Sequence, residues 1–209
     1  MNLMHLVIGN KNYSSWSLRP WIAMKVQRIA FDEKRIHLYA PDSKAQILRH
    51  SPAGKVPILQ DGGTMVWNSL AILEYLAERE PRLWPRDAAE RARARSLAAE
   101  MHAGFPKLRE HMSMNVRKRY PGMGRTAEVL ADIARITAIW AQAKGPFLFG
   151  EFTAADAMYA PVVLRFRTYA VEGPNRSYMD AMLALPAMRE WIEAAEREPE
   201  SIPELDLYE

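Results

Sequence analysis

The chain has no cysteine in its 209 residues. Disulfides, thiolate metal sites and dithiol redox chemistry carried by the protein itself are excluded, so any sulfur chemistry arrives with a ligand. Long apolar runs are also missing: no window approaches the roughly 18 to 20 uninterrupted apolar residues that a membrane span requires. Residues 1–9 carry no Lys or Arg before their short apolar run and no small-residue cleavage pattern after it. They read as a buried strand and not as a signal peptide, and a soluble, cytoplasmic protein with no membrane partner is the default. One-sided charge is lacking as well. Lys and Arg number 28 against 25 Asp and Glu, a net of +3, whereas a nucleic-acid binder concentrates a basic stripe. The longest basic run, Arg117-Lys118-Arg119, reads as a solvated helix face. The five histidines (His5, His37, His50, His102 and His111) are scattered without metal-ligand spacing.

What is present is an ordinary globular composition, 49% hydrophobic and 25% charged, enough for one or two domains. Leu3 to Ile8 is apolar on both pleat faces except for His5, as in a strand covered on both sides. Asn10 to Ser17 supplies turn and capping residues, and Pro20 fits the first turn of a helix whose apolar side is Leu18, Trp21, Ile22 and Val26. Ile36 to Tyr39 is the expected second strand. Val56 to Gln60 and Thr64 to Trp67 flank Asp61-Gly62-Gly63, a hairpin signal because glycine reaches the positive φ that tight turns need. Asn68-Ser69 then precedes Leu70, Ile72, Leu73 and Leu76 as a capped amphipathic helix. The order βαβ then ββα defines an α/β unit over 1–80. Pro81 and Pro85 mark a linker over 81–87. From 88 to 209 the spacing is helical in Ala88 to Lys118, Thr126 to Lys144, Thr153 to Val171 and Ser177 to Arg197, so this part is an all-helical bundle. Residues 1–85 hold 11 basic and 7 acidic groups and 86–209 hold 17 and 18; the first part slightly favours an anionic small ligand.

Three motifs carry chemistry. In Ser51-Pro52-Ala53-Gly54-Lys55-Val56-Pro57-Ile58-Leu59, Pro57 stands at the entry to a strand, where its missing N–H is tolerated. A cis Val56-Pro57 bond turns the Val56 backbone outward toward an extended, peptide-like ligand; a trans proline opening an edge strand fits the spacing equally well. Asn68-Ser69 is read either as a helix cap or as a carboxylate site built from free N–H groups at the helix start. Asn12-Tyr13-Ser14-Ser15-Trp16-Ser17-Leu18-Arg19-Pro20 lies between the first strand and first helix, where ligand-contacting loops belong. Its serines are either caps or site groups. Further along, Thr153-Ala154-Ala155-Asp156 has capping-box spacing and is assigned to architecture.

Taken together these features resemble the glutathione transferase family, with its thioredoxin-like amino-terminal domain, Val-Pro turn, Ser-containing pair opening the third helix and all-helical carboxy-terminal domain. The resemblance covers essentially the whole chain. Ser14-Ser15-Trp16-Ser17-Leu18-Arg19 is similar to the Ser-Ser-Cys-Ser-Trp-Arg run of the zeta class, the maleylacetoacetate isomerases. Trp16 replaces the zeta cysteine, and Asn68 replaces the usual Glu, Gln or Asp. The zeta register implies Ser14 as the thiol-activating hydroxyl; the register of other serine classes, four residues before the arginine, implies Ser15.

The resemblance further implies glutathione as co-substrate, no metal, and a homodimer of the detoxifying or isomerising kind. Val56 would pair with the cysteinyl backbone beside Pro57, Ser69 would hold the γ-glutamyl carboxylate and Asn68 its ammonium. Lys55, with His50 second, would take the glycine carboxylate. A small electrophile would sit among His102, Phe105, Arg109 and Met112. Met101, Phe105, Leu108 and Met112, spaced on one helix, read first as core, and Arg109 is either solvent-facing or a holder for an acidic substrate. The alternative to an enzyme is a non-catalytic member of the same fold, serving as a binding or regulatory module.

Overall fold

The computed structural model describes residues 3–173 and 176–208. Four strands, β1 (Met4–Ile8), β2 (Phe31–Arg35), β3 (Ile58–Asp61) and β4 (Thr64–Trp67), form a sheet of order β2-β1-β3-β4. β1 runs parallel to β2 and antiparallel to β3, and β3 pairs antiparallel with β4. Leu6, Val7 and Ile8 are fully buried because both faces of the sheet are covered. Leu6 and Ile8 join the main core with residues of α1 (Ser15–Val26) and α3 (Ser69–Ala77), while Val7 meets Ile36, Ile47 and Ile58 beneath α2 (Ser43–Leu48). The hairpin forms as expected, with Gly62 at φ +58.

Two expectations for the first half need correction, and one helix was not anticipated. The second strand lies at Phe31–Arg35 and not at Ile36 to Tyr39. It is a sheet edge whose side chains are mostly exposed, so charge is tolerated there and the burial signal belongs to Ile36 just beyond it, whose N–H bonds to Ile8 O at 2.8 Å. Pro20 sits inside α1, not in its first turn. The short helix α2 carries too few apolar residues to show a period.

The second half is helical, with α4 (Ala88–Ala103), α5 (Pro106–His111), α6 (Ala127–Trp140), α7 (Ala154–Tyr169), α8 (Arg176–Ala184) and α9 (Pro186–Glu196). The single run expected from Ala88 to Lys118 breaks after Ala103. Gly104 ends α4, Phe105 takes a left-handed conformation at φ +59 and Pro106 starts α5. Pro186 likewise divides α8 from α9. Between the halves, a 3-10 turn at Pro81–Leu83 buries Leu83 and Trp84. α7 is the central helix, packed against α1 and α4, and all of its residues but Arg167 are buried. Among the described residues no helix is long and apolar enough to cross a membrane.

Asp156 anchors α7. Fully buried, it accepts hydrogen bonds from Leu148 N at 3.0 Å, Thr153 N and Thr153 Oγ1 at 2.9 Å and Tyr178 Oη at 3.0 Å. This is the capping box, extended to a neighbouring loop and to α8.

Candidate active site

The three sequence motifs converge on one cleft between the sheet half and the helices. One cavity of about 580 Å³ is lined by Tyr13, Ser14, Ser15, Leu38, Lys44, Arg109, Ser113, Arg165 and Leu205, among others. A second of about 300 Å³ is lined by Pro57, Trp67, Asn68, Ser69 and His102. Trp16, Lys55 and Val56 line both, which makes them lobes of a single groove.

Ser14 is the N-cap residue of α1, yet its side chain makes no capping bond. Its Oγ lies 2.7 Å from Ser17 Oγ, which accepts from Gly9 N at 3.1 Å. When Ser17 donates to Ser14, the Ser14 proton is free to point into the cleft. Ser15 Oγ accepts from Arg165 Nη2 at 3.2 Å. The Val56-Pro57 bond is cis.

At the other lobe, Asn68 has φ +78 and ψ 126, outside the left-handed helical well that Asn visits readily, so its backbone is strained. Its Oδ1 accepts from Leu70 N at 3.0 Å and caps α3. That bond orients the amide so that Nδ2 faces His102 Nε2 at 3.2 Å. His102 Nε2 is then the acceptor and the proton rides on Nδ1, which is buried without a partner. Burial, followed by Arg19 and Arg109, lowers the His102 pKa, so the ring is neutral at pH 7. Ser69 Oγ, on a residue only 1% exposed, also has no partner. A buried hydroxyl at a helix start with its hydrogen-bonding capacity unused is poised for an incoming acceptor.

Arg109 and Arg165 line the larger lobe of the cleft, and Arg19 lies buried behind Trp16. Arg19, at 2% exposed, stacks on Trp16 with Cζ 4.1 Å from the ring centre, and Arg109 does so at 4.7 Å. Arg109 also donates to the carbonyls of Met101 and His102. Arg165 donates to Met112 O at 2.9 Å as well as to Ser15. Burial lowers the Arg165 pKa to about 10, with Arg109 adding to the effect; burial, then Arg109 and Arg165, lowers that of Arg19. The Nε and Nη1 of Arg19 and the Nε of Arg109 have no partner. Buried guanidiniums without a carboxylate among these partners are costly, and an anion entering beside Arg109 and Arg165 would offset part of that cost.

Most of the residues singled out from sequence thus meet: Ser14, Ser15, Lys55, Val56, Pro57, Asn68, Ser69, His102 and Arg109 all line the groove. Arg109 is half-buried on Trp16 and not solvent-facing. Phe105 and Met112 do not join them. Both belong to the core, because the break at Gly104 turns their chain segment inward, and neither lines the cleft. His50 lies outside the lining as well, its pKa lowered first by burial and then by Lys34. Sequence reasoning missed Lys44, whose Nζ donates to Gly54 O at 3.1 Å, and Arg165. An Arg within an otherwise apolar helical stretch was the available signal for the latter. Among the described residues no His, Asp and Glu side chains gather as metal ligands do.

A thioredoxin-like sheet followed by a helical bundle, with a serine loop, a cis-proline turn and a helix start facing one groove, defines the glutathione transferase class of fold. Family models agree: residues 13–79 match the glutathione S-transferase N-terminal domain and residues 87–194 its C-terminal domain. The chain is 28% identical over 157 residues to a probable maleylacetoacetate isomerase of Caenorhabditis elegans, covering 72% of this chain and 73% of that protein. A bacterial zeta-class maleyl pyruvate isomerase superimposes with a TM-score of 0.72 at 24% identity, over 95% of this chain and all of that one. A glutathione transferase homologue from Burkholderia, solved with bound glutathione, gives 0.71 at 22% identity over 95% of this chain and 100% of that chain. The chain belongs to the glutathione S-transferase family, and its function is that family's: catalysis with glutathione as the thiol-bearing co-substrate.

Proposed function

We propose that the protein activates glutathione with Ser14 and adds its thiolate to a small electrophile that carries a carboxylate. The observation that carries this reading is the pairing, in one groove, of a non-capping serine at one lobe with the unpartnered Ser69 hydroxyl at the other. Residues 1–80 hold glutathione, 81–87 link, and 88–209 supply the electrophile side. The protein works as a cytoplasmic homodimer, as the family resemblance implies.

Free glutathione thiol titrates near the cysteine value, roughly 8.5, so only a small fraction is thiolate at neutral pH. A hydroxyl donating to the sulfur, beside the positive end of α1, favours the thiolate. A depression of about two pH units corresponds to roughly 2.7 kcal/mol, within reach of one charge-assisted hydrogen bond plus a helix end. Ser14 is a hydrogen-bond donor here and not a nucleophile. Ser69 and the N–H groups behind it hold the γ-glutamyl carboxylate, Asn68 the ammonium, the Val56 backbone the cysteinyl unit, and Lys55 with Lys44 the glycine carboxylate. Arg109 and Arg165 receive the carboxylate of the electrophile. The maleylacetoacetate isomerase name of a relative supports an acidic substrate, as do Arg109 and Arg165 in the cleft lining.

Two measurements test the reading. Bound glutathione should show thiolate absorbance in the ultraviolet at neutral pH, and Ser14→Ala should remove it without releasing the ligand. In a turnover screen of maleyl compounds, aryl halides, epoxides and peroxides, the maleyl acids should lead, and Arg109→Met should raise KM for the acids alone. Tight glutathione binding with no thiolate and no turnover would leave a binding module of the same fold.

A further inference from the structure

We propose that residues 198–206 form a strap that positions Ser14, with Glu198 and Asp206 as its anchoring carboxylates. The proposal rests on the Ser14 reading above and concerns what holds that serine in place. The loop leading into Ser14 is secured from the far end of the chain. Glu198 accepts from Lys11 N at 2.6 Å through one oxygen and from Asn12 N at 3.0 Å through the other. Asp206 accepts from Tyr13 Oη at 3.0 Å and from Asn115 Nδ2 at 2.6 Å, and Tyr13 Oη in turn accepts from Ile202 N at 3.1 Å. The strap is itself tied down: Arg117 donates to the Glu198 and Glu200 carbonyls at 2.5 and 2.6 Å, and Ser113 Oγ to Leu205 O at 2.7 Å.

Both carboxylates are buried, so neither is a solvated surface acceptor whose loss water could repair. Lys11, Asn12 and Tyr13 are the three residues before Ser14, and each is gripped by the strap. Tyr13 and Leu205 line the same cavity as Ser14. A serine that must meet a sulfur at hydrogen-bond distance depends on such a setting, since a displacement near 1 Å can cost about a hundredfold in rate. Glu198 and Asp206 are therefore positioning residues, acting through the loop and not on substrate.

The test compares Asp206→Ala and Tyr13→Phe with the parent protein, in three readouts taken well below each variant's unfolding temperature. Tyr13→Phe keeps the ring and serves if Asp206→Ala does not fold. Expected are a fall in kcat of about tenfold or more, a KM for glutathione within about twofold of the parent, and a reduced thiolate signal from bound glutathione. Amide exchange at Lys11 and Asn12, whose N–H groups bond to Glu198, should quicken in a Glu198→Ala variant. Asp156→Ala, which weakens the fold away from the loop, should leave the thiolate signal of the folded protein intact. A parent signal that both strap variants retain, with kcat unchanged, overturns the strap and leaves the Ser14 reading standing. Absence of thiolate in the parent overturns that reading itself, and with it the catalytic role of the strap.

Discussion

Two sets of buried polar groups are treated in opposite ways. Around Asp156, four donors meet one carboxylate and nothing is left over. Around Trp16, the Arg19, Arg109, His102 and Ser69 side chains all keep buried atoms without partners. Burying a polar group unsatisfied costs roughly 1 to 3 kcal/mol, more for a charge, so a fold retains such groups where something else completes them. The complete cluster is architecture, and the incomplete one is where a ligand belongs.

The largest effect should come from breaking the complete cluster. Asp156→Ala strands several buried donors together, and the denaturant midpoint should fall by an amount worth about 3 to 5 kcal/mol. That exceeds the cap contribution alone, about 0.5 to 2 kcal/mol, while the KM of the folded fraction should stay unaltered. A lost glutathione affinity with an unmoved midpoint would reverse the assignment of the two clusters.

On the incomplete side, Ser14→Ala should cut turnover by tenfold or more, as expected from losing about 1.5 to 3 kcal/mol of a charge-assisted hydrogen bond. Ser15→Ala should do less. Steady-state kinetics decide, and greater damage at Ser15, which already receives Arg165, would move the thiol one residue along α1.

Arg19→Met sharpens the comparison from another direction. Replacing a buried cation that has only the Trp16 ring and no carboxylate beside it with an apolar chain of similar reach should raise the thermal stability of the unliganded protein, by about 1 to 2 kcal/mol, and lower its activity. Calorimetry with and without glutathione reads both. A plain loss of stability would show that Arg19 belongs with the architecture.

The smallest change is Asn68→Asp. It keeps the acceptor that caps Leu70, gives up the amide donor that faces His102 Nε2, and adds charge for the glutathione ammonium. Binding should tighten by about 0.3 to 1 kcal/mol at low salt and return to the parent value at high salt. No gain at low salt would mean the ammonium lies elsewhere.

Much of this was legible in the sequence where local chemistry decides. Gly62-Gly63 announces the hairpin, Pro57 the strand entry, Thr153 to Asp156 the capping box, and the serine loop the site. Legibility ended where burial depends on distant partners. β2 hides because an edge strand needs no apolar face. Arg165 hides because α7 is buried all round, so no periodicity separates a cleft-facing position from a core one, and its partner Ser15 is 150 residues away. The inward turn of Phe105 depends on one left-handed residue after Gly104, which no spacing argument anticipates.

The contacts that hold the serine loop also bear on the order of folding. Glu198 reaches Lys11 across 187 residues, and Asp206 reaches Tyr13 across 193. Closing loops of that span is entropically unfavourable until the intervening chain has compacted. The sheet, with β3 and β4 joined by a two-glycine turn, and helices such as α6 draw on near neighbours and are expected to form earlier. During synthesis the core can therefore assemble while the loop before Ser14 still lacks its clamp. Competence should follow folding rather than accompany it, with catalytic geometry among the last features the chain acquires and among the first it loses on partial unfolding.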